Sequence, residues 1–177
     1  MKMMAGKLNF ILVLTLLLIS CSHSANFFSR ANDAPKIETN SSEMQGQQLP
    51  ISAKAIIKGE EIELEVTKTP SQQQLGLMFR QSLAPNRGML FSFSPARITR
   101  FWMKNVVIPL DMVFIQEGKI KAIENNVPPC TIDPCPVYGP DIPIDTVIEL
   151  KGGRASELNL SINDLVEIKF FDDSQQN

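Results

Sequence analysis

From Ile51 onward, apolar and polar positions alternate in short runs punctuated by Gly, Pro and Asn. In ISAKAIIKGEEIELEVT, Ile62, Leu64 and Val66 alternate with Glu61, Glu63 and Glu65 after a Lys58-Gly59 turn, the pattern of a β-hairpin with one wet face. The following TPSQQQLGLMFR sets Thr69 before Pro70 with Gln72 three residues on, a capping box with Pro at the first helical position. A short helix is expected there, with Leu75, Leu77, Met78 and Phe79 as its buried side and Gly76 weakening its second turn. After a turn at Pro85-Asn86-Arg87-Gly88, MLFSF reads as a strand and SPAR as another turn.

The next segment, ITRFWMKNVVIPLDMVFI, carries charges inside a strand-like pattern. Period two puts Arg100, Trp102 and Lys104 on one face and Phe101 and Met103 on the other. Pro109 must break or bulge the ladder because it has no N–H to donate. Beyond it, Leu110, Met112 and Phe114 alternate with Asp111, Val113 and Ile115, which leaves Asp111 on an apolar face. A Glu117-Gly118 turn and KIKAIEN complete a hairpin. Asn125 to Asp145 is a long Pro-rich loop, of the kind that often carries function. TVIEL is a further strand, ASELNL at most one helical turn, and LVEIKFF the last strand. The whole is expected to be mainly β, a small β-sandwich or distorted jelly-roll or barrel of about eight short strands with one or two short helices.

The ends of the chain differ from this body. Lys2 and Lys7 precede an apolar run from Leu8 to Ile19 that is too short for a stable transmembrane helix, so residues 1–20 read as an export signal. The run ends in Leu18-Ile19-Ser20-Cys21, which is similar to the lipobox of bacterial lipoproteins. Cys21 is then expected to be a lipidated N-terminus whose several acyl chains give stable membrane attachment. A plain signal peptide cut after Ser22 or Ser24 is the competing reading. Residues 21–50 form the lipidated end and a polar, flexible tether, residues 51–171 a single β-rich domain, and residues 172–177 a polar tail. The expected location is the cell envelope, membrane-anchored, on the periplasmic or outer surface.

Loss of residues 1–20 leaves 15 basic and 19 acidic side chains, a net charge of −4, which argues against nucleic acid as a partner. His23 is the single histidine and falls beside the anchor. No His-dependent triad or zinc–histidine site can therefore be built in the domain, and neither a metal nor a cofactor is expected. Cys130 and Cys135, five positions apart in an exported chain, are expected to form a structural disulfide.

These segments resemble the domain of unknown function 192, a bacterial and archaeal family. The resemblance is carried by GLMFR (Gly76 to Arg80), GMLFSF (Gly88 to Phe93), FWMKN (Phe101 to Asn105), IPLDMVFI (Ile108 to Ile115), the region from Pro128 to Tyr138, and the closing VIELKGG and LVEIKF. It covers nearly all of Ile51 to Phe171 and implies a compact, mainly β fold of sandwich or distorted jelly-roll type. It implies no activity. Val106 stands where the family's motif continues with a Thr-like residue.

Arg80, Arg100, Trp102, Lys104, Asn105, Asp111 and Tyr138 are the candidate ligand-binding residues. Two arrangements are open for the charged ones. Asp111 is costly to bury ionised unless a cation meets it, and Arg80 suits that pairing. Alternatively the group lies unpaired in a shallow cleft with Trp102, where ring, cation and amide suit a sugar or a small anion. Tyr138 is expected to pack the long loop onto the sheet or to line that cleft. The favoured function is a ligand-binding module of the envelope for a saccharide, cell-wall fragment or small anion. The alternatives are a histidine-independent enzyme with Asp111 as acid or base, and a non-catalytic accessory protein.

Overall fold

A computed structural model describes residues 45–171; the expected export signal, Cys21 and most of the expected tether lie outside them, as does the expected polar tail. The described residues form nine strands and two short helices: β1 (Ile51–Ile57), β2 (Glu60–Thr67), α1 (Pro70–Leu75), β3 (Arg87–Arg97), β4 (Phe101–Trp102), β5 (Leu110–Gln116), β6 (Lys119–Val127), β7 (Val137–Tyr138), β8 (Ile144–Lys151), α2 (Arg154–Glu157) and β9 (Val166–Phe170). Seven strands make one sheet in the order β6-β5-β8-β3-β2-β1-β9, and β4 pairs with β7 in a separate two-stranded ribbon. Every pairing is antiparallel except β2 with β3, whose crossover carries α1.

The large sheet curls into a half-barrel until its two edges touch. Lys119 bridges Leu165, and the amide of Val166 donates to Gly118 O at 2.9 Å. Residues facing inward from all seven strands, among them Ala53, Ala55, Leu64, Leu90, Val113 and Ile148, form one core. A second core lies on the outer face, where Met89, Phe91, Met112 and Phe114 are covered by Leu77, Leu83 and Met103 from the connecting segments. The central strands β3, β5 and β8 are thus buried on both faces, which is why their sequences run apolar at successive positions.

The capping box forms as expected: Thr69 Oγ1 accepts from the amide of Gln72 at 3.2 Å, and Gln72 Oε1 accepts from that of Thr69 at 3.0 Å. The helix, however, stops at Leu75. Gly76 takes φ 48°, a conformation open chiefly to glycine, so Leu77, Met78 and Phe79 belong to a tight turn and not to a helical face. SPAR also departs from expectation, since it is the irregular end of β3, where the register with β8 shifts between Ser92 and Arg97. The long loop is pinned near its middle by β7. The hairpin β1–β2 turns at Lys58 and Gly59 as expected, but its polar face is wet only at the turn end, because Glu65 is buried.

The last part of the tether is attached to the domain. Gln47 Nε2 donates to Gln72 O at 2.8 Å and to Gly76 O at 2.9 Å, which satisfies carbonyls at the end of α1. The amide of Leu49 donates to Glu65 Oε2 at 2.8 Å. Those backbone groups need partners once α1 is packed, and residues 45–50 supply them.

Candidate functional site

Phe101 and Trp102 are neighbours in β4 and point to opposite sides of it. Phe101 packs edge-to-face on Phe91 and Phe114, with ring centroids 5.0 and 5.9 Å apart, and so fixes the ribbon on the outer face of the sheet. Trp102 is turned out and remains 43% exposed. Its partner strand is held close by Gly139, at φ 132°, where a Cβ would stand 2.7 Å from Thr99 O.

Between this ribbon and the α1–Gly76 segment lies a cleft of about 250 Å³. Its walls are Gln73, Leu75 and Gly76 on one side and Phe93, Phe101 and Trp102 on the other. Trp102 also borders an adjoining hollow lined by Ser71, Lys104 and Asn105. There the Lys104 ammonium sits 5.3 Å from the centre of the indole. Asn105, at φ 58°, turns the chain, and its carbonyl accepts from the amide of Phe79 at 2.8 Å.

The floor of the cleft is a carboxyl group that the sequence reading passed over. Glu149 stands in β8 directly between Met89 of β3 and Met112 of β5, and it is 4% exposed. No group among the described residues bonds to its Oε2. Burial without a partner pushes the carboxyl up to about 8. Gly76 passes over it so closely that a Cβ there would lie 3.8 Å from Oε2. The available signal was a lone acid in the apolar run of TVIEL, a strand buried on both faces.

Arg97 and Arg100 reach the cleft from the end of β3 and the start of β4. Arg100 is occupied by the carboxylate of Asp141 and the carbonyl of Pro140. Arg97 lies over the ring of Phe93, 4.6 Å from its centre, with no carboxylate of the described residues in ion-pair range.

Two expected members are elsewhere. Arg80 does not meet Asp111; it grips Glu65 on β2 and donates to Gln47 O at 2.6 Å. Asp111 is 0% exposed, with Oδ1 accepting from the amides of Asn126 and Gly153 at 2.6 and 2.9 Å and Oδ2 from that of Ala155 at 2.6 Å. Backbone N–H groups, not a cation of the described residues, compensate this carboxylate, so it holds the turn into α2, and it is not among the residues that line the cleft. The segment from Ile98 to Ile115 is interrupted before Leu110, as Pro109 requires, but its two parts also lie in different sheets: β4 belongs to the small sheet and β5 to the large one. Tyr138 pairs with Phe101 and packs against the outer core. Cys130 and Cys135 are joined in a disulfide.

The sequence profile of a family described as "Uncharacterized ACR", the domain of unknown function 192, matches residues 53–168. The chain belongs to this family. Two solved structures are similar to this domain-192 chain. One, a protein of unknown function from Novosphingobium aromaticivorans, is 30% identical over 66% of this chain and 83% of its own, with a TM-score of 0.59. Another, from Sinorhizobium meliloti and named a "putative transcription regulator", is 32% identical over 68% of this chain and 97% of its own, with a TM-score of 0.61. No match was found among curated proteins.

Proposed function

We propose that the protein is a ligand-binding module of the cell envelope, lipid-anchored at Cys21, that takes a saccharide, a cell-wall fragment or a small anion into the cleft beside Trp102. The observation that carries this reading is the half-exposed indole at the edge of a concave site, with an ammonium 5.3 Å from its ring centre. An aromatic face supplies apolar contact to a sugar ring, while Lys104 and Asn105 supply charge and hydrogen bonds that fix orientation. The anchor rests on the lipobox-like end of the export signal.

Catalysis is the weaker reading. Glycoside hydrolysis uses two carboxyl groups as a rule, and Glu149 is the one carboxylate among the described residues that line the cleft. The name given to the Sinorhizobium meliloti protein would call for a basic, groove-reading surface. The net charge of −4 expected after export gives that reading no support.

Trp102 is the single tryptophan, so intrinsic fluorescence reports directly on the site. Titration of the purified protein with N-acetyl sugars, uronic acids and muropeptides is expected to shift its emission, and Trp102→Ala to abolish the heat of binding in calorimetry. If no saccharide or small anion changes either the emission or the melting temperature, the binding reading is lost. For the anchor, Cys21→Ala is expected to move the protein from the membrane fraction to the soluble one; retention on membranes contradicts it.

A further inference from the structure

The floor of the cleft restricts what can fill it more than the mouth does. Glu149 occupies the centre of a row that crosses five strands, Glu65-Met89-Glu149-Met112-Glu124, each residue directly opposite the next. Methionine on both sides offers Glu149 no donor and only a thioether sulfur, a weak acceptor. Above it, Gly76 presents no side chain, and the buried Oε2 has no partner among the described residues, while Glu149 itself lines the cavity. A buried polar group left unpaired is costly, and a fold that keeps one at the end of an open cleft leaves its hydrogen bond to an incoming group. Arg97 also lines the cleft, its guanidinium engaged among the described residues only by the ring of Phe93.

We infer that Glu149 and Arg97 form a two-point site for a sugar acid or similar small hydroxy acid, Glu149 donating a hydrogen bond to an inner hydroxyl or carbonyl oxygen and Arg97 holding the outer carboxylate. This rests on the binding reading above and narrows its ligand class. Phe93, Phe101 and Trp102 cover the apolar faces of the ring between the two points.

The charge of the surroundings selects an acid over an amine. Burial holds Glu149 neutral up to about pH 8, so at neutral pH it is a donor and not a carboxylate waiting for a cation. From β3 the charged group that faces the cleft is Arg97; from the start of β4 it is Arg100, already taken by Asp141. The α1–Gly76 wall contributes the amides of Gln73 and Gln74, and β5 sets Met112 beside Glu149. Of the acids at the ends of the row, Glu65 is matched by Arg80, and Glu124 lies beyond Met112 on β6. An ammonium ligand would meet cations at the rim and no carboxylate at the floor.

Calorimetric titrations of the whole protein between pH 6 and 9.5 separate these cases. The probes are glucuronate, galacturonate and N-acetylmuramate, the methyl ester of glucuronate as a neutral counterpart, and glucosamine as an amine. At least one acid is expected to bind, with affinity falling about tenfold per pH unit above ~8 as the carboxyl loses its proton. Glu149→Gln, which keeps the shape and an N–H donor, is expected to bind it with a flat pH profile. Arg97→Ala is expected to remove the preference for acid over ester, a surface change that leaves the core intact. If the neutral methyl ester binds and the acids do not, this inference fails while the binding reading stands; if nothing binds, both fail. Glucosamine binding that tightens with rising pH, or acid binding with the same pH profile in Glu149→Gln as in the parent, also overturns it.

Discussion

Arg80 grips Glu65 through both of its terminal nitrogens, at 2.6 and 3.3 Å, with the two side chains only 13% and 7% exposed. The same guanidinium and the same carboxylate also hold residues 45–50, through Gln47 O and the amide of Leu49. Removing one partner leaves an uncompensated charge in a nearly dry place, so Arg80→Ala is expected to destabilise the protein by about 3 to 5 kcal/mol. Replacing both with apolar residues, Arg80→Met with Glu65→Leu, is expected to recover much of that. Urea unfolding of the two single variants and the double variant measures the coupling.

Asp111 is the opposite arrangement, a carboxyl group that pairs with no cation of the described residues and accepts from three backbone amides. Asp111→Ala strands all three donors at the turn into α2, and each unsatisfied group costs on the order of 1 to 3 kcal/mol. The variant is expected to lose several kcal/mol, or to unfold, in chemical denaturation. Asp111→Asn, which keeps one acceptor oxygen, is expected to lose less. At a temperature where it remains folded, it should bind cleft ligands as the parent does. A selective loss of binding would put Asp111 in the site.

Much of this fold is legible in local pattern, because the features that announce it act over a few residues. The Thr69 capping box, the Lys58-Gly59 and Glu117-Gly118 turns and the alternation in β2 and β5 all depend on neighbours in sequence. Trp102 is legible for the same reason, since period two separates it from Phe101. Pairing is a different matter. Nothing near Arg80 distinguishes Glu65 from Asp111 as its partner, for the choice depends on the parallel β2–β3 crossover, which brings the Arg80 turn back against β2. Glu149 was hidden by the same cause. On a half-exposed strand a Glu between apolar residues is a solvated side chain, and it becomes a buried, partnerless acid only because β4 and the Gly76 turn close over the outer face.

The Cys130–Cys135 disulfide closes a short loop ahead of β7, so the entropy it removes from the unfolded chain is modest. Reduction, or Cys130→Ser with Cys135→Ser, is expected to cost about 2 kcal/mol, read as a drop in melting temperature. Since the loop leads into Val137 and Tyr138, the pairs of Trp102 and Phe101, the larger effect is expected on the ribbon. Trp102 emission should shift toward that of a more hydrated indole in the reduced protein while the β-sheet signal in circular dichroism stays unchanged. An unaltered emission would show that Phe101 alone fixes the ribbon.

Glu149 makes stability depend on pH in a direction opposite to that of an ion-paired acid. In the unfolded chain the carboxyl titrates near 4.5, and in the folded protein burial raises it to about 8. Between these values the folded state holds one proton more than the unfolded state, so unfolding releases it and becomes easier as pH rises. The slope is roughly 1.4 kcal/mol per pH unit across that window, with the full advantage of the neutral acid present below about 4.5 and none left above about 8. Glu149→Gln has no proton to lose. Its stability relative to the parent, from urea unfolding at pH 5, 6.5 and 8, is expected to rise steadily with pH, since the other titrating groups are common to both proteins and cancel in the difference. Parallel curves would mean that the carboxyl finds a partner or water in the cleft, and the cleft floor would then be a satisfied acid with no hydrogen bond left for a ligand.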